Sequence, residues 1–100
     1  MVFKFSWFDV SAAKQFGTAL AMFYLGKLPL DVDKTDKKYQ NKKEFVLKKM
    51  SEQVTDFRQV HKLNIYKKAQ LGNAFKWALR DAGYPDETVD ELTGTLMRQL

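Results

Sequence analysis

The chain has 100 residues, 45% of them hydrophobic, with no cysteine and a formal net charge of +5. That length suits one domain with one core, large enough to fold without a metal or a covalent staple. The missing cysteines exclude disulfides, thiolate metal sites and cysteine nucleophiles, and they favour the cytoplasm over a secreted, oxidising location. The charge is uneven: residues 1–33 are neutral, 34–80 carry +9 and 81–100 carry −4. A basic middle can attract phosphates, anionic lipid or an acidic protein, or it can be covered internally by the acidic end.

Residues 2–8 alternate, with Phe3, Phe5 and Trp7 on one side of an extended segment. A lone strand leaves its backbone groups unpaired, so the expectation is an aromatic arm clamped onto helices. Nothing here has the basic region and apolar run of a signal peptide, and the longest near-apolar stretch, 19–26, is too short to span a bilayer.

A first helix is expected near 10–26, capped by Asp9 or Ser11, with Ala13, Phe16, Leu20 and Phe23 as its apolar stripe and Ala12, Ala19 and Leu25 widening it. Gly26 is the expected left-handed stop, with Pro29 beyond. Gly17 stands inside the helix at a cost of about 1 kcal/mol against alanine, which suggests close approach by another helix. Residues 27–36 read as a loop. Its Asp31-x-Asp33 pair lacks the glycine and final glutamate of a calcium loop, so turn roles for these residues, or Asp36 as a helix cap, explain it better.

The second helix is expected near 36–61. Leu47, Met50, Val54, Phe57 and His61 recur at steps of three and four, Tyr39 and Val46 broaden that face, and Phe45 lies away from it. The seam is too short for a free coiled coil and points to a bundle. Asn64 can cap a third helix near 65–82, stopped by Gly83, and Asp86 a fourth near 86–99 with Val89, Leu92, Leu96 and Leu100 inward. The fold expected is therefore all-α, a compact four-helix bundle in a single domain over 1–100 with a short aromatic N-terminal arm. Met22, Met50 and Met97 read as core gap-fillers.

The third helix carries the pattern of greatest interest. Ile65, Ala69, Gly72, Phe75 and Leu79 are assigned to its apolar side, extended by Leu71, Ala78 and Ala82. Tyr66, Gln70, Asn73, Trp77 and Arg80 line the other side, with Lys76 on the border. Solvent faces are ordinarily small and charged. Two aromatics, two amides and a guanidinium suit a recognition strip, because interfaces enrich Trp, Tyr and Arg. The competing layout buries this helix on both sides, with Tyr66 and Trp77 packed under the second helix or the arm, as aromatics at helical spacing commonly are.

The second candidate is a lysine cluster: Lys37, Lys38, Lys42, Lys43 and Lys49, with Lys34 and Lys48 nearby and Tyr39 and Phe45 interleaved. Lysines are ordinary on exposed helix faces, but the helix dipole disfavours cations in the first turns. These residues are candidates for contacts to phosphate or nucleic acid. Catalysis is poorly supplied: His61 is the single histidine, and no nucleophile elbow, phosphate loop or metal-ligand spacing is present. The sequence implies no cofactor and no metal. It suggests a small binding or adaptor protein, with a protein partner first, nucleic acid second, an enzyme third, and a homodimer possible.

Overall fold

The computed structural model describes residues 10–28 and 35–100. It is an all-helical bundle of α1 (Ser11–Lys27), α2 (Lys37–Val60), α3 (Ile65–Asp81) and α4 (Asp86–Gln99). The aromatic arm, Asp9, Pro29 and the Asp31-x-Asp33 pair lie outside the described residues. Around the bundle, α1 touches α3, α3 touches α4, α4 touches α2, and α2 touches α1. Consequently α2 and α3 occupy opposite corners, and their outer faces point away from each other.

Local chemistry sets three of the helix ends. Asp36 caps α2, its Oδ1 accepting from the Lys38 amide at 2.9 Å. Asn64 caps α3 in the same way, accepting from Lys67 at 2.7 Å. Each bond satisfies an amide that the helix itself cannot. The end of α3 is a Schellman turn. Gly83 takes φ 102°, its amide donates to Arg80 O at 3.0 Å, and the Tyr84 amide donates to Leu79 O at 3.2 Å.

Other ends differ from expectation. Ser11 is the first helical residue of α1, and Val10 at the cap position makes no side-chain capping bond. Gly26 does not stop α1. The helix runs through Lys27, and Gly83 is the one residue with positive φ among those described. Asp86 is not a cap either: Pro85 holds that position, and Asp86 sits in the first turn of α4. There its carboxylate meets the Arg80 guanidinium at 3.3 Å, while the helix dipole favours its charge.

The core is drawn from all four helices, with Leu20, Tyr24, Val46, Val54, Leu71, Phe75, Leu79 and Val89 fully buried. On α1 the inward stripe is Ala13, Gly17, Leu20, Ala21 and Tyr24, rotated from the one expected. Ala12 and Ala19 face solvent, and Phe16 and Phe23 sit at the boundary. Phe16 instead links α1 to α2, stacking on Phe57 at 4.1 Å with the rings 5° apart. His61, expected on the α2 seam, is exposed at the helix end and stacks on the outer side of Phe57 at 4.4 Å. Of the expected gap-fillers only Met50 is buried; Met22 and Met97 are exposed.

The helix pair with the most extensive contact is α1 and α3, and Gly17 marks where they cross. A Cβ built on Gly17 would collide with the Leu71 carbonyl oxygen and lie 3.2 Å from both Ala74 Cβ and Phe75 N. Ala13 and Ala21, one turn to either side and both buried, keep the approach open along the helix. Gly17 is therefore a packing requirement that outweighs its helix-propensity cost, as its position suggested.

Gly17→Ala should destabilise the protein by about 1–3 kcal/mol, because the atom it meets is backbone and cannot swing aside. Gly26→Ala, with open space around the site, should stabilise it by about 0.5 kcal/mol through the unfolded chain. Urea unfolding of both variants checks this; equal shifts would remove the special role of Gly17.

Candidate functional site

The outer face of α3 is open to solvent. Trp77 is 55% exposed and Tyr66 43% exposed, and Asn73 and Arg80 lie with them on the surface. The layout in which Tyr66 and Trp77 pack under α2 is therefore not found; the alternative in which the N-terminal arm covers them lies outside the described residues. Gln70 and Lys76 are half-buried and form the two edges of the strip. The six expected residues thus fall on one side of α3, four on its crest and two on its flanks.

Two further residues belong to this face. Ile65 is 85% exposed, and Ala69 is exposed beside it. Both had been assigned to the apolar side. The core of α3 centres on Leu71, Phe75 and Leu79, all fully buried, and Ile65 projects roughly 80° away from that direction. The outer face is therefore broader than the sequence suggested: Ile65 and Ala69 lie on its Lys76 flank, beside the crest of Tyr66, Asn73, Trp77 and Arg80, and its formal charges are Lys76 and Arg80.

Arg80 is held from two directions. Its guanidinium lies 5.2 Å from the Trp77 ring centroid, in cation–π range. It also reaches Asp86 Oδ1 at 3.3 Å. An exposed ion pair adds little stability, but the two contacts together restrict the Trp77 and Arg80 rotamers. An aromatic anchor already ordered loses less entropy on binding.

The lysine cluster divides. Lys43 turns towards α4 and pairs with Glu91 at 3.7 Å. Lys49 lies 5.4 Å from the Phe45 ring centroid and 3.6 Å from Glu52. Lys37, Lys38, Lys42 and Lys48 are exposed. The acidic end covers the basic middle at discrete points, Glu91 on Lys43 and Asp86 on Arg80, and does not blanket it.

No group of three or more potential metal ligands occurs among the described residues, and no helix there is long and apolar enough to cross a membrane. The hollow between α2 and α3 is shallow, about 280 Å³, and lined by Arg58, His61, Lys62, Leu63 and Lys68. Arg58 is already committed to the end of α4, where it donates to Gln99 O at 3.1 Å.

The strongly perturbed ionisable groups are buried tyrosines. Burial pushes the Tyr84 phenol up to about 12, and its hydroxyl donates to Leu28 O at 2.7 Å. Burial, then a hydrogen bond with Tyr39, holds Tyr24 higher still. Tyr24 and Tyr84 meet edge to face at 5.7 Å. This cluster ties the end of α1 to the α3–α4 turn; it lines none of the surface hollows described here. The chain matches no family model, and no curated protein or solved structure shows significant similarity to it.

The tyrosine knot makes stability depend on alkaline pH. The folded pKa values lie above the ordinary value of 10, so unfolded chains lose these protons first and stability falls as pH rises through 10 towards 12. Urea unfolding at about pH 9 and about pH 11 should show a clear loss at the higher pH, smaller in Tyr84→Phe. Equal loss in that variant would contradict the assignment to Tyr84.

Proposed function

We propose that this protein is a small docking module that binds another protein through the outer face of α3. The observation that carries the reading is Trp77, more than half exposed and held by Arg80, in line with Tyr66 and Asn73. Scattered apolar residues are normal on a protein surface. Exposing Ile65, Tyr66 and Trp77 on one side of a single helix is less usual, since exposed helix faces favour small or charged side chains.

The partner that suits this row is an apolar cleft able to take a helix ridge. Trp77 and Tyr66 are the anchors, the Asn73 amide fixes register between them, and Arg80 meets a carbonyl or carboxylate at the rim. Binding of this kind is salt-tolerant, because one guanidinium at the rim contributes steering more than affinity. A cysteine-free chain that builds its core from aliphatic and aromatic packing suits a reducing compartment, so the cytoplasm is the location we assign.

The test is capture from nuclease-treated lysate with immobilised wild-type protein, Trp77→Ala and Tyr66→Ala, each checked for unchanged circular dichroism. The expected result is a captured protein that survives high salt and is lost with Trp77→Ala, which should weaken binding by about 2 kcal/mol or more. Capture that ignores both substitutions would contradict the reading. Self-association abolished by Trp77→Ala would reassign the same face to a homodimer.

A further inference from the structure

We infer a second binding surface on the opposite corner of the bundle: the outer face of α2 around Phe45, built to hold a single-stranded polynucleotide. Phe45 is 58% exposed. Its neighbours on the helix surface, three and four residues away, are Asn41, Lys42, Lys48 and Lys49. Lys38 stands one turn beyond Lys42. A large aromatic ring is thus set in a field of ammonium groups, with Lys49 Nζ 5.4 Å from its centroid.

Neither propensity nor packing accounts for this arrangement. Phenylalanine is a poorer helix former than leucine or alanine and gains stability chiefly by burial. Here it is mostly in water, while the buried side of α2 is Val46, Met50 and Val54. Lys37 and Lys38 lie in the first turn of α2, where the dipole opposes them. Among the described residues, Lys37, Lys38, Lys42 and Lys48 make no ion pair within 4 Å, and Glu52 engages only Lys49. The N-terminal half of this face, Lys38 and Lys42 with Lys37 beside them, therefore carries charge with no ion pair among the described residues, while Glu52 and Asp56 share its C-terminal half.

An exposed ring bordered by lysines is the chemistry of single-strand recognition. The ammonium groups track phosphates, and the ring offers a platform on which an unpaired base stacks. A duplex hides its base faces and would leave Phe45 idle. A lipid surface needs a broad apolar face, and this one has a single apolar side chain amid Asn41, Glu52 and Asp56. The distance from Lys38 to Lys49 along the axis, about 16 Å, matches a segment of a few nucleotides. Because α2 and α3 are diagonal, this surface is independent of the one proposed for a protein partner.

Fluorescence anisotropy with a short labelled oligothymidylate tests it. Binding should fall on the order of 20-fold between about 50 and about 200 mM salt, as expected for three phosphates neutralised on a single strand. Phe45→Ala should weaken it about tenfold at constant salt, Phe45→Trp should preserve it with indole quenching on binding, and Lys42→Ala should flatten the salt slope. Both sites are exposed, so thermal unfolding of the three variants should be nearly unchanged. No binding at the lower salt overturns the inference. So does binding indifferent to Phe45→Ala, which would be mere attraction to a basic protein, or a preference for duplex DNA or phosphatidylserine vesicles over the single strand.

Discussion

Everything on the α3 side of the molecule depends on the absence of one side chain at Gly17. The backbone of α3 lies so close there that the Leu71 carbonyl, the Ala74 methyl and the Phe75 amide occupy the space a Cβ would need. This contact fixes which side of α3 turns inward. With Leu71 and Phe75 committed to α1 and Leu79 to the shared core, Ile65, Tyr66, Ala69, Asn73 and Trp77 have nowhere to point but outward. The exposed row is a geometric consequence of the crossing. Placing Ile65, Tyr66 and Trp77 on it is a choice of sequence, and the proposed docking role rests on that choice.

The second consequence is the diagonal placement of α2. Its contacts are with α1 and α4, through larger side chains: Phe57 on Phe16, and Lys43 on Glu91. It therefore turns a long outer face to solvent on the far side of the bundle. The two surfaces proposed here differ in character as well as position. One centres on two aromatics with Lys76 and Arg80 at its margins; the other is a single ring among lysines, with Glu52 and Asp56 towards its C-terminal end. A bundle with two unlike faces on opposite corners can hold two unlike partners at once, the geometry expected of an adaptor.

Much of this was legible in the sequence where a local rule acts alone. Asp36 and Asn64 announce helix starts because a side-chain oxygen beside an apolar repeat has one obvious use, and Gly83 ends α3 because the turn needs positive φ. Gly17 was legible for the opposite reason: it violates a local rule, so tertiary structure must be supporting it. What failed were choices between faces. On α1 the stripe expected from Ala13, Phe16, Leu20 and Phe23 leaves out Tyr24, which is buried with Tyr39 as a hydrogen-bond partner. On α3, helical spacing groups Ile65 and Ala69 with Gly72, Phe75 and Leu79, although the direction of burial is set by Leu71, Phe75 and Leu79. Gly26 looked like a stop only because nothing local distinguishes a glycine that ends a helix from one that rides in its last turn. The strip itself was found by its chemistry; that it is exposed follows from the α1–α3 crossing, which no local pattern encodes.

The claim most directly open to measurement is that the outer face of α3 is uncovered. In a Trp7→Phe background Trp77 is the sole indole, and its emission reports its surroundings. An emission maximum close to that of tryptophan in water, with ready quenching by acrylamide, is what this structure predicts. A strongly blue emission resistant to quenching would place Trp77 in an apolar surround and contradict the account.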